Sequence, residues 1–319
     1  MNSAAAVARF PFPFEQKKSV PFRYSVNIEP HATNGIAGSV NEFYFDIDEF
    51  YLSELAERER VLAKNLHHFI LAESAEPAAW ELLAQVTRQL AADFPNYFFL
   101  SVEDDVWHWQ NKLTQNQNNF IFGDAVSLGM SPLLFVARTV PGDWVLLEQK
   151  KENLFIEGGV VTGPAGWSLA ETFGMDFLEW HAPVPDDYQV FPRSLKYLLR
   201  MPAAQPVRRK NWGLCVYPRL DMSMEAYAEW RNDRDSLAEC DFGDKLNLRV
   251  EHQVLERLPE SGFIFFHIRT YFLTLNELVA NRQWRQLLAQ VLATTPEPII
   301  AYKGLAGLRP KIIDWLAQH

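Results

Sequence analysis

The stretch Trp167–Pro185 constrains the chain more than any other, because local chemistry sets both of its ends. Ser168 and Glu171 stand at capping-box spacing, where the hydroxyl accepts from the glutamate N–H and the carboxylate reaches back to the serine N–H. Pro183 biases Ala182 away from the helical region, and neither Pro183 nor Pro185 can donate a backbone hydrogen bond, so a helix begun at Ser168 must stop at about His181. Phe173, Phe177 and His181 recur at i, i+4 and i+8 on one face, which drifts slightly because the helical period is shorter than four. The spacing predicts an imidazole at the mouth of an apolar groove.

Two accounts of His181 follow. A basic residue in a last turn bonds terminal carbonyls and complements the helix dipole, with no further role. Alternatively the imidazole is a metal or heme ligand: Phe173 and Phe177 offer an apolar shelf to a porphyrin, and a terminal carbonyl takes the Nδ1–H and leaves Nε2 for iron. Spacing leaves both open.

The formal charge of −10 argues against a nucleic-acid partner, whose phosphates need clustered Lys and Arg, and suits a small cationic ligand or a basic protein. Cys215 and Cys240 are too few and too isolated for a disulfide framework or a thiolate metal cage, which makes a cytoplasmic protein the expectation. The Ala run near Met1 lacks a basic segment and a long apolar core, and no apolar run reaches about 18 residues, so neither a signal peptide nor a membrane span is expected.

Residues 1–45 alternate Pro11, Pro13, Pro21 and Pro30 with aromatic residues and read as an extended arm. Residues 46–95 read as helical: one amphipathic helix from about Asp48 to Phe69, and another from about Glu76 to Ala92 with Trp80, Leu83, Thr87 and Leu90 on one side. Asn111 to Asn119, rich in Gln and Asn, reads as a loop. A sheet core is expected over 120–275. Its first strands are Leu133–Val140, Trp144–Glu148 and Leu154–Thr162, joined by hairpin turns at Pro141-Gly142-Asp143 and Gln149–Asn153. Further strands fall at Trp212–Tyr217, Leu246–Val254 and Phe263–Phe272, and residues 276–319 carry C-terminal helices at Asn276–Ala293 and Gly307–Leu316. The expected class is α+β in a single 1–319 domain, with an antiparallel sheet of about five or more strands and helices on one face.

Generic catalytic signatures are absent: no Gly-rich phosphate loop, no G-x-S-x-G elbow, no H-E-x-x-H helix. His67-His68 is a poor metal pair, since helical neighbours point apart, and reads as a solvated helix end. Asp104-Asp105 and Asp186-Asp187 read as turn or cap carboxylates.

Gly166-Trp167, Phe173-Gly174 and Trp180-His181-Ala182-Pro183-Val184-Pro185 together resemble the heme-dependent oxidative N-demethylase family, whose segment runs to Ile-His-Ala-Pro-Val-Pro. Arg209-Lys210-Asn211-Trp212 is similar to the family's Arg-x-Asn-Trp, and Leu248–Pro259 with Ile268-Arg269-Thr270-Tyr271 to its long Arg-x-Glu-Arg-Gln-Thr-Leu block. Pro21-Phe22-Arg23-Tyr24 and Ala301-Tyr302-Lys303-Gly304-Leu305 extend the likeness over nearly the whole chain, in order.

The resemblance implies a Per-ARNT-Sim-like heme-binding fold that holds heme b on His181, the metal ligand. It also implies dioxygen and a small methylated amine on the other side, and electrons from a separate flavin or iron–sulfur reductase. Bound dioxygen needs donors and a cationic amine needs an acid; Arg249 and Glu251, at i, i+2 on one strand face, offer one of each, or else form a structural ion pair. Arg209 is a candidate partner of a heme propionate, Asn211 a hydrogen-bond donor, and Trp212 and Phe177 candidate packing partners of the porphyrin, while Trp212 is equally suited to core; Arg269 is a further propionate candidate. The chain departs from the family pattern at His252 (Arg in the family), Val254 (Thr), Thr172-Phe173 (a Lys lost), Gly163–Gly166 (a Phe-Pro-Ser lost) and Ser131-Pro132 (a Glu-Asp pair lost). These changes are expected to strip charge from the pocket rim and to add an imidazole. Alternatives are a heme-binding sensor or regulatory subunit without turnover, and a heme-free paralogue in which His181 is only a helix end.

Overall fold

The computed structural model describes residues 4–14, 27–33, 36–64, 66–185 and 187–319. Pro21-Phe22-Arg23-Tyr24 and Asp186 lie outside the described residues. Among the described residues ten strands form two antiparallel sheets: β1 Glu29–Pro30, β2 Phe69–Leu71, β3 Phe98–Glu103, β4 Val106–Asn111, β5 Asn116–Ile121, β6 Asp143–Lys150, β7 Asn153–Val160, β8 Val207–Val216, β9 Leu246–Arg257 and β10 Ile264–Thr274. The large sheet runs β1-β8-β9-β10-β6-β7-β2 and the small one β3-β4-β5, with helices around them, so the α+β class holds.

The centre of the large sheet is the β9–β10 hairpin, in register from Ile264↔Arg257 to Thr274↔Asn247. On β9, Leu246, Leu248 and Val250 join the core built with the C-terminal helices Leu275–Val279, Arg282–Thr294 and Arg309–Gln318. Leu255, on the alternate face, joins Val145, Phe266 and Ile268 beneath the helix Asp187–Leu199. Helices therefore cover both faces, not one as the sequence suggests, and β9 is buried along almost its whole length. A third core joins the helices Glu76–Asp93 and Pro132–Thr139 to the inward Trp107, Trp109 and Phe120 of the small sheet.

Three expectations are corrected here. Leu133–Val140 is not a strand: Pro132 opens a helix, Pro132–Thr139, in which Leu133, Val136 and Ala137 are fully buried at helical spacing, with Val140 fully buried as its extended C-cap, a short apolar run whose period was ambiguous. Pro141-Gly142-Asp143 consequently joins helix to strand. Gly142 has φ +101°, and a Cβ there would lie 2.6 Å from His267 Nε2, so the position needs glycine on both counts. Asn111–Asn119 is not a loop: it holds the end of β4 and most of β5, with Gln115, Asn116, Gln117 and Asn119 exposed while Asn111 is buried and donates to the Tyr51 hydroxyl at 2.8 Å. The Asp104-Asp105 turn takes positive φ at both residues, as a tight hairpin needs. His68, expected to be solvated, is buried, and its Nδ1 meets the Val161 carbonyl at 2.8 Å.

Candidate functional site

The polar alternates of β9, Asn247, Arg249, Glu251 and Gln253, are each 6% exposed or less. A strand with one polar face normally turns that face to water. Here the face is walled in, and Arg249, Glu251 and Gln253 line a cavity of about 640 Å³. That volume falls in the range of ligand clefts, roughly 300–1,000 Å³.

His181 lines the same cavity, although not on one continuous helix as expected. The helix Leu169–Thr172 ends at Phe173, Gly174 takes φ +77°, and a second helix, Phe177–His181, begins afresh. The reciprocal capping box belongs to this second helix: Asp176 Oδ1 accepts from the Leu178 and Glu179 N–H groups, and Glu179 Oε2 accepts from the Asp176 N–H at 3.0 Å. Ser168 accepts only a long 3.5 Å bond from Glu171 and donates its hydroxyl hydrogen to Glu225 instead. The break turns Phe173 out to 36% exposure, while Phe177 stays buried. Ala182 keeps helical angles, so the stop comes from the prolines' missing N–H groups.

The His181 ring is held from three sides. Its Nδ1 lies 2.7 Å from the Phe177 carbonyl; the rings of Phe177 and Trp180 sit 4.4 and 4.5 Å away, and Phe191 stacks at 4.0 Å. A carbonyl can only accept, so Nδ1 carries the proton. Among the described residues no group of three or more His, Cys, Asp or Glu is arranged to hold a metal. Iron here would thus need a ligand frame of its own, with the protein adding an axial imidazole.

Within the cavity, Glu251 Oε2 accepts from Asn211 Nδ2 at 3.1 Å and Gln253 Nε2 at 2.8 Å, with Arg249 at 3.7 Å. Arg249 gives its terminal nitrogens to the carbonyls of Gly163, Arg219 and Leu220, clamping two loops to the sheet. Among the described residues its buried Nε meets no acceptor. Arg209 Nη1 donates to Gln253 Oε1 at 2.9 Å. These side chains, with His181 and Trp212, all line the cavity. The Trp212 indole also packs against the C-terminal core and faces Phe14 and the Lys303 ammonium.

Two sequence candidates lie elsewhere. Phe177 sits beneath the His181 ring and is not on the cavity wall. Arg269 projects from the other side of β10, away from Phe266 and Ile268, where it is buried against Asp48 and Glu54 and donates to the Asp46 carbonyl. Burial raises Glu54 to about 7 even with Arg269 beside it. Both departures on β9 also leave the cavity: His252 and Val254 alternate away from Glu251, and the His252 ring lies 5.9 Å from that of His31. The expected imidazole at the pocket rim is thus a core residue whose pKa burial drives well below its ordinary value. Ser131 and Pro132 begin the helix Pro132–Thr139 in the third core and are not on the wall either.

Sequence reasoning missed Phe191, Gln253 and Lys303. Gln253 continues the Arg249, Glu251 alternation and was legible as such; Phe191 and Lys303 reach the cavity only through tertiary packing. The haem-dependent oxidative N-demethylase, alpha subunit-like family model matches residues 35–313, a span that takes in the whole cavity wall apart from Asn27. By that match the chain belongs to the haem-dependent oxidative N-demethylase alpha subunit-like family.

Proposed function

We propose that the chain is a heme-dependent monooxygenase that removes a methyl group from a small methylated amine, with dioxygen as oxidant and electrons from a separate flavin or iron–sulfur reductase. The observation that carries this reading is the fixed tautomer of His181 on the wall of a cavity that a buried carboxylate, Glu251, also lines. With the proton on Nδ1, the nitrogen that suits iron is Nε2. The donor set fits heme b: one imidazole, a volume adequate for a cofactor, apolar surface from Trp167, Trp180, Phe266 and Ile268, and Arg209 to meet a propionate. When bound, heme would supply dioxygen activation: one oxygen atom enters the N-methyl group, which leaves as formaldehyde, and the other leaves as water, with two electrons and two protons taken up.

The chain's own residues have separate tasks in this reading. Phe177 and Phe191 orient the His181 ring, and the Phe177 carbonyl keeps it basic. Glu251, held by Asn211 and Gln253, takes the cationic amine. Arg249 neutralises Glu251 only in part, at 3.7 Å, and offers as a donor its Nε–H, which meets no acceptor among the described residues. The rival reading, a sensor without turnover, was motivated by His252 and Val254, and those residues lie on the far side of β9. The test is formaldehyde release by the heme-loaded protein with reductant and air, across dimethylamine, trimethylamine and N-methyl amino acids. Stoichiometric formaldehyde and demethylated amine are expected from at least one; none from any would leave a heme-binding sensor.

A further inference from the structure

The cavity inverts the charge of the protein. The chain carries −10 overall. Among the described residues, five Lys and Arg line the cavity, Arg209, Lys210, Arg234, Arg249 and Lys303, against three glutamates. Two of those, Glu171 and Glu179, are exposed at the rim, which leaves Glu251 as the interior acid. Cations gathered on the wall of a low-dielectric cleft repel one another and raise the local potential, a cost that an anionic ligand removes.

Lys303 is the sharpest case. The helix Glu297–Tyr302 ends just before it, and Gly304, at φ +68°, closes the turn by donating to the Ala301 carbonyl. A Cβ at Gly304 would lie 2.5 Å from Arg234 Nη1, so the glycine lets a second cation press against the same turn. The Lys303 ammonium lies 4.6 Å from the centre of the Trp212 indole and donates to the Trp212 carbonyl at 2.6 Å. An ammonium has three donors, and that carbonyl is the one acceptor it meets among the described residues. Burial lowers its pKa to about 8, against the pull of Glu251 and with the push of Arg209. A partner carboxylate would return the group to full charge.

We infer that Lys303 is the centre of a carboxylate-binding subsite in this cavity, a role separate from that of Glu251 toward an amine. The inference rests on the cavity being a cofactor and amine site. The carboxylate has two possible carriers, a porphyrin side chain or an amino-acid substrate, and both present the same chemistry to the ammonium. A methylated amino acid would place its carboxylate on Lys303 and its ammonium on Glu251.

The test uses the full chain, freed of any cofactor. Metal-free protoporphyrin IX and its dimethyl ester are titrated by fluorescence, so that iron and His181 play no part. N-methylglycine and dimethylamine are titrated by calorimetry. If the porphyrin is the carrier, the wild type prefers the acid to the ester tenfold or more, Lys303→Met abolishes the preference, and Lys303→Arg retains it. If the substrate is the carrier, the acid–ester ratio survives Lys303→Met, and a tenfold preference for N-methylglycine over dimethylamine is lost. Should Lys303→Met fold poorly, Lys303→Gln replaces it with the same expected outcomes, since Arg209 on the same wall could by itself give the wild type an acid preference. A wild type with neither preference, or a Lys303→Met that keeps both, overturns the subsite. Failure of the iron reading would appear separately, as protoporphyrin binding without iron–His181 ligation.

Discussion

The Nδ1–H of His181 donates to the carbonyl of Phe177, one helical turn earlier, at 2.7 Å. Helix Phe177–His181 is only five residues long, so the imidazole at its last position folds back onto the carbonyl of its first residue. The same bond meets the needs of a plain helix end and of an axial ligand. The difference lies in the cavity beside it.

Glu251→Gln separates chemistry from folding. The substitute keeps the shape and one acceptor oxygen for Asn211 and Gln253 but removes the charge. Stability should change by no more than about 1 kcal/mol, while affinity for a cationic amine falls tenfold or more. Thermal melts and amine titrations of heme-loaded protein measure the two effects.

Arg249→Met should act in the opposite sense. Three loop carbonyls lose their donor and Glu251 loses its neighbouring cation, all in the interior. Unfolding in urea is expected to show a loss of roughly 3–5 kcal/mol.

Arg269→Met tests the assignment of that residue to the far side of the sheet. Asp48 and Glu54 would be left buried without their cation, so stability should again fall by roughly 3–5 kcal/mol. Heme affinity of the folded fraction should match that of the wild type. A selective loss of heme with unchanged stability would contradict the placement.

Acid should destabilise the fold through three buried imidazoles. Burial lowers His31 to about 4 and His267 to about 3, and drives His252 well below 6.5. Between pH 6.5 and 4 the unfolded chain therefore binds more protons than the folded one, so this stability is complete above 6.5 and is lost as pH falls. For His31 alone it amounts to ~3 kcal/mol. His31→Gln should flatten the slope of unfolding free energy against pH in that window.

Much of the fold was legible because its signals are local. The helix Glu76–Asp93 buries Trp80, Leu83, Thr87 and Leu90 as its spacing requires, and β9 shows its two faces in plain alternation. The misread elements lacked a decisive period. Leu133–Val140 is too short to distinguish helix from buried strand, and β5 presents amides where a strand usually presents β-branched residues. At the site, the residues from Arg209 to Glu251 were readable as neighbours of His181 only through resemblance to a family. Strand alternation then sorts them, placing Arg249, Glu251 and Gln253 on the cavity and His252 and Val254 behind it. Arg269 shows the limit of motif reading, since one step along β10 carries a residue through the sheet.

The central claim is that His181 Nε2 bonds heme iron, and the absorption spectrum of the purified protein, compared with that of His181→Ala, tests it most directly. The account predicts a Soret band from the wild type after growth with ample porphyrin precursor, and its loss or displacement in the variant with the fold intact by circular dichroism. A wild type that stays colourless when reconstituted with hemin, or a variant with an unaltered Soret band, would contradict it.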